Sequence, residues 1–479
     1  MTRSAPPERL FALGLAGIAL VTLWRVALLP FDRADLFTDD AQYWLWGQEL
    51  AWGYYSKPPL IGWILRASTA IGGDGAFWIR LPLPLFHAVT ACLAALIARK
   101  LYDPGVGGLA GLAVITLPGV AVASLLVSTD TPMLACFALA MLAQLHLAER
   151  RSVGWALAMG AAIGVGLLAK YAMIYFPLSA AIAALLVPRA RIAWRDAGIA
   201  ALLALALIAP NLWWNLTNGL ATLHHTADNA DWQDGGVDPF GLAKFVVGQF
   251  ALAGPVLFGA YLAALPRARR GGAAAYLAAM SLPVFLLVTA QALIAGANAN
   301  WAAVGHLGAV VLGIALLARH RGWLTASFAI NLALTLALPV TTLFADSLHV
   351  GHDLLLSRYV GRADVSRKAA EIARANGLAT LVSGDRSLLA DFFYTLRDSG
   401  LALYAEPVAG FPPHHYAQKH PLPEGPGEVL FIGRDPGGPD CRAGAQPVEI
   451  ASWRPSQGFS TKTFYAHRVP RSCWFGPGG

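Results

Sequence analysis

The stretch that decides the fold is GAAAYLAAMSLPVFLLVTAQALIA, residues 272–295, in which no position carries a charge. An apolar helix of about 20 residues is long enough to cross the hydrocarbon core of a bilayer. Arg267, Arg269 and Arg270 stand just before this stretch. Because basic residues concentrate on the cytoplasmic side of membrane proteins, the sequence predicts a spanning helix that begins in the cytoplasm.

Ten further stretches have a similar composition, which predicts about eleven transmembrane helices. Connectors on one side carry basic pairs such as Arg99-Lys100 and Arg150-Arg151, whereas most connectors on the other side carry almost none. This asymmetry predicts a cytoplasmic N-terminus and a periplasmic C-terminal segment. The eleven predicted spans cover approximately residues 10–30, 78–98, 106–127, 131–148, 153–169, 172–188, 197–214, 241–265, 272–295, 301–318 and 323–344.

The overall composition excludes a soluble enzyme. Of the 479 residues, 56% are hydrophobic and only 13% are charged, and the mean hydropathy is +0.53. Soluble domains carry about 25% charged residues. The net charge of +7 follows from the cytoplasmic arginine clusters, so we expect no nucleic-acid partner.

Two regions do not read as spans. Residues 31–77 form a polar but aromatic-rich first periplasmic loop, which predicts short interfacial helices. Residues 345–479 have a soluble composition and predict a small periplasmic α/β domain, so residues 1–344 become the transmembrane catalytic domain. In the α/β domain we expect helices near 364–376 and 386–399 and strands near 378–383, 401–406, 428–432 and 463–468.

The first loop also holds the densest group of ionisable residues on the predicted outer side. Asp39 and Asp40 are adjacent, and Lys57 stands directly before Pro58 and Pro59, which restrict the backbone there. A carboxylate in such a group can take the proton of an attacking hydroxyl as a general base. A lysine can neutralise the charge that develops on a departing phosphate. This pattern suits glycosyl transfer from a lipid phosphate.

At these residues the chain resembles a known family. DDAQYW (39–44) followed by GYYSKPPL (53–60) is similar to the first-loop motif of GT-C glycosyltransferases that use polyprenyl-phosphate sugars. The nearest resemblance is to the bacterial protein O-mannosyltransferase and lipid A aminoarabinose transferase group. Later stretches resemble further family motifs in the same order, namely GDGAFWIRLP (73–82), STDTP (128–132), GLLAKY (166–171) and NLWWN (211–215).

The resemblance implies an inverting glycosyltransferase at the periplasmic face of a bacterial inner membrane. Its partners would be a polyprenyl-phosphate sugar donor, the lipid bilayer, and an acceptor hydroxyl on lipid A or lipopolysaccharide, another glycan or a protein. Asp39 would be the catalytic base, with Asp40 beside it at a position where the family usually has Glu. The resemblance also implies Lys57 and Lys170 for the donor phosphate. We predict that Gln42, Tyr43, Tyr55, Asp130 and His225 belong to the donor or acceptor pocket.

Two substitutions separate the chain from the aminoarabinose transferases. Gln42 stands where those enzymes carry Arg, and Ser56 replaces an acid that helps them to bind a structural metal. A divalent metal is therefore compatible with the resemblance but not indicated by these residues. The neighbouring pair His224 and His225 does not indicate one either, because adjacent histidines seldom ligate one ion.

Simpler roles remain open for several of these residues. Asp39, Asp40 and Asp130 could each cap a helix, and Lys170 could extend from a helix end to the lipid headgroups. A transporter or flippase of a lipid-linked sugar is the alternative function, and an accessory protein with a sensor domain is a second. A transporter would place polar residues at the bilayer midplane in a repeated architecture. The sequence shows no internal repeat.

The four cysteines form two groups. Cys441 and Cys473 lie in the predicted periplasmic domain, where the oxidising compartment favours a disulfide between them. Cys92 and Cys136 lie within apolar spans and should stay reduced.

Overall fold

A computed structural model describes residues 6–228, 236–441, 446–456, 458 and 462–475 of the chain. The helices in chain order are α1 Pro7–Leu28, α2 Thr38–Gln48, α3 Leu60–Gly72, α4 Ala76–Arg80, α5 Pro82–Leu101, α6 Pro104–Ile115, α7 Pro118–Ala123, α8 Asp130–Glu149, α9 Val153–Ala169, α10 Tyr175–Leu186, α11 Trp194–Thr217, α12 Ala221–Asp228, α13 Pro239–Ala253, α14 Pro255–Ala264, α15 Gly272–Ala295, α16 Gly305–Leu317, α17 Arg321–Thr342, α18 Arg362–Ala375, α19 Arg386–Thr395, α20 His415–Lys419 and α21 Ser472–Phe475. The strands are β1 His349–Val350, β2 Asp353–Leu354, β3 Thr380–Ser383, β4 Ala402–Ala405, β5 Glu428–Gly433, β6 Val448–Trp453 and β7 Phe464–Pro470.

The chain divides into two compact units. The helical unit comprises Met1–Pro30, Ala51–Gly53 and Lys57–Pro339. The sheet unit comprises Phe31–Leu50, Tyr54–Ser56 and Val340–Gly479, so it combines part of the first loop with the C-terminal segment. The assignment of residues 1–344 to a catalytic domain and residues 345–479 to a periplasmic domain stays a prediction.

Every apolar stretch predicted from the sequence contains a helix, which confirms the polytopic helical class. Among the described residues, six helices are long and apolar enough to cross a membrane, namely α1, α4 with α5, α8, α11, α15 and α17. The pair α13 and α14 bends by 105° at its break and would add a seventh span. The remaining predicted spans fall on the shorter apolar helices α6, α9, α10 and α16. The number of eleven spans stays a prediction.

Glycines allow the first helices of the helical unit to pack backbone to backbone. A Cβ atom on Gly14 of α1 would lie 2.3 Å from the carbonyl oxygen of Gly108 in α6. A Cβ atom on Gly108 would lie 2.3 Å from the carbonyl oxygen of Leu10. Close approach between small residues is a common source of helix association in membranes, where the hydrophobic effect does not drive it.

The predicted span 106–127 is interrupted after Ile115, before Pro118 starts α7. A break within an apolar segment frees backbone carbonyls, which need polar partners. Arg25 supplies one, since its Nη2 donates to the Ile115 carbonyl at 2.8 Å. Thr335 supplies another, since its Oγ1 donates to the Thr116 carbonyl at 2.9 Å. The polar groups buried among these helices therefore have a structural role at this break.

The sheet unit contains a five-stranded sheet in the order β4-β3-β5-β7-β6. Strand β3 runs parallel to β4 and β5, whereas β7 runs antiparallel to β5 and β6. All four residues of β3 are buried, as expected for a central strand covered on both faces. The predicted helices and strands of this region are confirmed, except that α19 ends at Thr395 rather than near 399. Strand β6 was not predicted.

The predicted disulfide is also present, between Cys441 and Cys473, while Cys92 and Cys136 are free thiols. Cys473 is fully buried in the core of the sheet unit together with Val429, Val469 and Trp474. The bond thus joins the segment before β6 to the end of the chain beyond β7.

Helix α2 from the first loop packs within the sheet unit. The ring of Trp44 meets the edge of Tyr394 in α19, with 5.1 Å between the ring centroids. Trp46 stacks on Tyr54 at 4.5 Å and meets His415 of α20 at 5.6 Å. Packing against α19 and α20 therefore accounts for the burial of Trp44, Trp46 and Tyr54. The interfacial position of the first loop stays a prediction.

Candidate active site

Asp39 lies in the first turn of α2 and forms an ion pair with Arg386, the first residue of α19. Arg386 Nη2 donates to Asp39 Oδ1. Its Nε donates to Gln42 Oε1 at 2.8 Å. Asp39 and Gln42 are three positions apart on one face of the helix, so a single guanidinium can reach both. The Asp39 side chain remains 41% exposed.

Asp40 has a different environment from its neighbour. It is 1% exposed, and its Oδ2 accepts from the backbone N–H of Phe37 at 3.3 Å. A side chain at the third helical position that accepts from the preceding N-cap amide stabilises the start of a helix. Of the two adjacent acids, Asp40 therefore supports the helix start and Asp39 presents a partly open carboxylate.

The charge of Arg386 is retained at this position. Burial lowers the pKa of Arg386, but the attraction of Asp39 and their hydrogen bond outweigh it, so that the net shift is upward. The guanidinium therefore stays charged and can hold the carboxylate.

A second polar cluster lies in the helical unit around Asp130 at the start of α8. Lys170, which directly follows α9, donates from Nζ to Asp130 Oδ1 at 2.7 Å. Asn300 Nδ2 and Ser128 Oγ donate to Asp130 Oδ2 at 2.8 and 3.2 Å. In the part of the chain that the structure describes, this carboxylate accepts from side chains only and not from the first-turn amides of α8. Helix capping therefore does not explain Asp130. The ammonium group of Lys170 is directed at this carboxylate, which gives Lys170 a partner within the protein.

The later sequence motifs meet in the same unit. Tyr171 Oη donates to Asn211 Oδ1 at 2.8 Å and accepts from Asn215 Nδ2 at 3.0 Å. Asn211 Nδ2 in turn donates to the carbonyl of Trp52 in the first loop at 2.6 Å. Gly53 packs on α11 so closely that a Cβ atom there would lie 2.3 Å from the Trp214 ring. Three of the family-like motifs are thus joined by hydrogen bonds and packing.

The remaining predicted site residues are divided between the two units. Lys57 belongs to the helical unit and is half-buried, and two prolines separate it from the start of α3. Tyr43 and Tyr55 belong to the sheet unit and are buried. His225 lies in α12 and is half-buried. Within the described ranges, no three His, Cys, Asp or Glu side chains form a group that could hold a metal ion.

The sequence does not predict two polar partners of the site residues, Arg386 and Asn300. Arg386 lies 347 positions beyond Asp39, and Asn300 lies 170 positions beyond Asp130. The predicted strand and helix around residue 385 locate the start of α19, but no periodicity or spacing shows which distant helix it meets. Both contacts result from tertiary packing.

Comparison with known proteins places these features in a family. The family model described as dolichyl-phosphate-mannose-protein mannosyltransferase matches residues 56–214. Over 470 residues the chain is 41% identical to the lipid A galacturonosyltransferase RgtD of Rhizobium johnstonii, and the alignment covers 96% of this chain and 98% of RgtD.

Solved structures show the same fold. ArnT from Cupriavidus metallidurans in the apo state matches with a TM-score of 0.65 and 15% identity, covering 97% of this chain and 98% of ArnT. The structure of that protein bound to undecaprenyl phosphate also matches with a TM-score of 0.65, at 16% identity, covering 95% and 97% of the two chains.

The matches extend over nearly the whole chain and agree with the motifs in its first half. They favour an enzyme that uses a lipid-linked donor, and they do not favour the transporter or flippase considered from the sequence. The chain is an integral multi-pass membrane glycosyltransferase, and it belongs to the GT-C family that transfers sugars from polyprenyl-phosphate carriers.

Proposed function

We propose that this enzyme transfers a galacturonosyl group from a polyprenyl-phosphate carrier to a hydroxyl of lipid A. The observation that carries this proposal is the 41% identity to a lipid A galacturonosyltransferase over almost the full length of both chains. The ArnT match supports the donor class, since that protein, which has the same fold, was solved with undecaprenyl phosphate.

In the proposed reaction Asp39 acts as the general base. Its carboxylate takes the proton of the acceptor hydroxyl while that oxygen attacks the anomeric carbon of the sugar. The bond from this carbon to the phosphate oxygen breaks, and the polyprenyl phosphate leaves with the bonding electrons. Attack opposite the leaving group inverts the configuration, through an oxocarbenium-like transition state of the kind known from glycoside hydrolysis.

Lys57 and Lys170 are proposed to stabilise the phosphate as its charge grows. The pairing of Lys170 with Asp130 is compatible with this role because an ammonium group has three donors. One donor can remain on Asp130 while another meets a phosphate oxygen. Gln42, Tyr43, Tyr55, Asp130 and His225 are proposed to line or support the donor and acceptor pocket.

The proposed reaction takes place on the periplasmic face of the inner membrane, with the N-terminus in the cytoplasm. Arginine clusters such as Arg267, Arg269 and Arg270 support this orientation. A reporter that is active only in the periplasm should work when fused after Asp346, and one that is active only in the cytoplasm should work after Arg270. The reverse pattern would contradict the orientation.

The reaction itself is tested with purified full-length enzyme, lipid A, and three polyprenyl-phosphate donors that carry galacturonate, aminoarabinose or mannose. Mass spectrometry of lipid A should show the addition of one hexuronic acid residue with the first donor only. The Asp39→Asn variant is the control for background transfer. Transfer of another sugar, or unmodified lipid A with all three donors, would overturn the proposal.

A further inference from the structure

We propose that Arg386 is a positioning residue that holds the Asp39 carboxylate in place for proton removal. The inference rests on the proposed function, in which Asp39 is the base. It assigns a part in the reaction to the C-terminal segment of the chain, which contributes Arg386 from the start of α19.

Arg386 contacts α2 through two hydrogen bonds. Arg386 uses two different nitrogens, Nη2 toward Asp39 and Nε toward Gln42. Because the guanidinium is planar and its donors point in fixed directions, two such contacts define both the position and the rotation of the first turn of α2. A lysine ammonium could neutralise Asp39 but could not impose this orientation.

Gln42, three positions after Asp39, is the second partner of Arg386. In this chain a neutral side chain stands there, and its Oε1 accepts from a guanidinium that another segment supplies. The cation beside Asp39 is thus provided by residue 386. A Gln is suited to this because its carbonyl accepts while the guanidinium can only donate.

The backbone that carries Arg386 is itself fixed. Asp385 caps α19 by accepting from the Ser387 N–H at 2.7 Å. The Asp385 carboxylate also pairs with Arg434 Nη2 at 2.8 Å. Strand β3, which ends just before this cap, is fully buried in the sheet. Arg386 therefore extends from a rigid strand-to-helix turn, which is the kind of support that keeps a catalytic group within a fraction of an ångström.

The pairing also leaves Asp39 able to react. Among the described contacts, Arg386 engages only Oδ1 of Asp39. Oδ2 has no hydrogen bond within that part of the chain, and the side chain is 41% exposed. One carboxylate oxygen is thus held while the other can receive the proton of the acceptor hydroxyl.

The test compares Arg386→Gln, Arg386→Lys and a matched control in full-length enzyme, using single-turnover transfer from galacturonosyl polyprenyl phosphate to lipid A. Arg468→Gln is the control, because Arg468 is similarly exposed and paired with Glu428 in the same unit. We expect Arg386→Gln to lower the turnover rate by roughly 10- to 100-fold, because small misplacements of reacting groups cost this much. The KM for the donor, measured separately in the steady state, should stay within about threefold of its original value. Arg386→Lys should recover part of the single-turnover rate, and the rate of the control should stay within about twofold.

A double variant distinguishes two roles of Arg386, namely positioning the Asp39 carboxylate or only attaching α2 to α19. If Arg386 acts through Asp39, adding Arg386→Gln to Asp39→Asn should cause no further loss of rate, because effects within one functional unit are not additive. Multiplicative losses would overturn the inference, as would a normal rate in Arg386→Gln beside an inactive Asp39→Asn. An active Asp39→Asn would instead refute the proposed base, so the two failures are distinguishable.

Discussion

Lys170 and Asp130 form an ion pair of 2.7 Å between two motifs that lie 40 positions apart in the sequence. The Lys170 side chain is 18% exposed and the Asp130 side chain 8%. At such burial, removal of one partner leaves an uncompensated charge, which costs more than loss of a surface pair. The pair therefore offers a test of whether Lys170 serves the donor phosphate or only the fold.

We expect Asp130→Asn and Lys170→Met to differ in donor binding. Asp130→Asn retains the cation, so the affinity for polyprenyl phosphate should stay the same or increase. Lys170→Met removes the cation, so the affinity should fall by about tenfold or more, in line with the loss of one charge-assisted contact. Equilibrium binding of polyprenyl phosphate to each purified variant measures this. Equal affinities in both variants would assign Lys170 to structure alone.

Asp39→Asn should lower single-turnover transfer by about 10²–10⁴-fold, because the amide cannot accept a proton. The variant should still fold and bind the donor. Asp40→Asn should lower the rate far less, since Asp40 accepts a backbone hydrogen bond at the start of α2. Rate measurements at matched protein amounts would place the base at Asp40 if the order of the two effects were reversed.

Replacing Cys441 or Cys473 by Ser should destabilise the sheet unit. The bond closes a segment with a sequence separation of 32 residues, which corresponds to about 3–4 kcal/mol in the chain-entropy model. A lower thermal midpoint in non-reducing conditions is the expected result, with Cys92→Ala and Cys136→Ala as controls that change no disulfide. Thiol alkylation of the unreduced wild type followed by mass spectrometry should label only Cys92 and Cys136.

His415 should make the fold sensitive to acid. Burial, and then the positive charges of His420 and Lys419, lower the pKa of His415 to about 3. This value lies below the ordinary value of about 6.5. The contribution of neutral His415 to the free energy of unfolding is therefore present above pH 6.5 and is lost as the pH falls toward 3. The loss is at most about 1.4 kcal/mol per pH unit.

The matched variant is His415→Phe, because neither ring nitrogen of His415 has a hydrogen-bond partner within the described part of the chain. Between pH 7 and pH 5 the thermal midpoint of the wild type should fall more than that of His415→Phe. The groups facing His415 in the sheet unit, among them His414 and Arg386, are the same in both proteins. If the thermal midpoints of the two proteins fell in parallel with pH, His415 would not contribute to the acid sensitivity of the fold.

The sequence predicted most of the helices because apolar composition acts locally. Spans such as residues 272–295 follow from length and lack of charge alone, and the structure places α15 on the same residues. Helix lengths were less predictable, because an interruption such as the one before Pro118 depends on partners like Arg25 and Thr335 in other helices.

The site was predictable where one motif holds the residue and not where two distant segments meet. Asp39, Lys57 and Lys170 follow from motifs that each occupy a few consecutive positions. Arg386 and Asn300 follow only from packing, since no local pattern reports their contacts with Gln42 and Asp130. Strand β6 was missed for a related reason, because its six residues are mostly exposed or half-buried and lack a clear apolar alternation.

The packing of α2 against α19 has a consequence for how the chain is made. Gln42 is synthesised 344 residues before its partner Arg386. At about 5–20 residues per second, the ribosome needs on the order of tens of seconds to cover this interval. Throughout it, Trp44 has no Tyr394 to pack on, and the first-loop part of the sheet unit lacks the strands and helices that complete its core. Asp39, the proposed base, therefore gains its partner Arg386 only after most of the chain has been made.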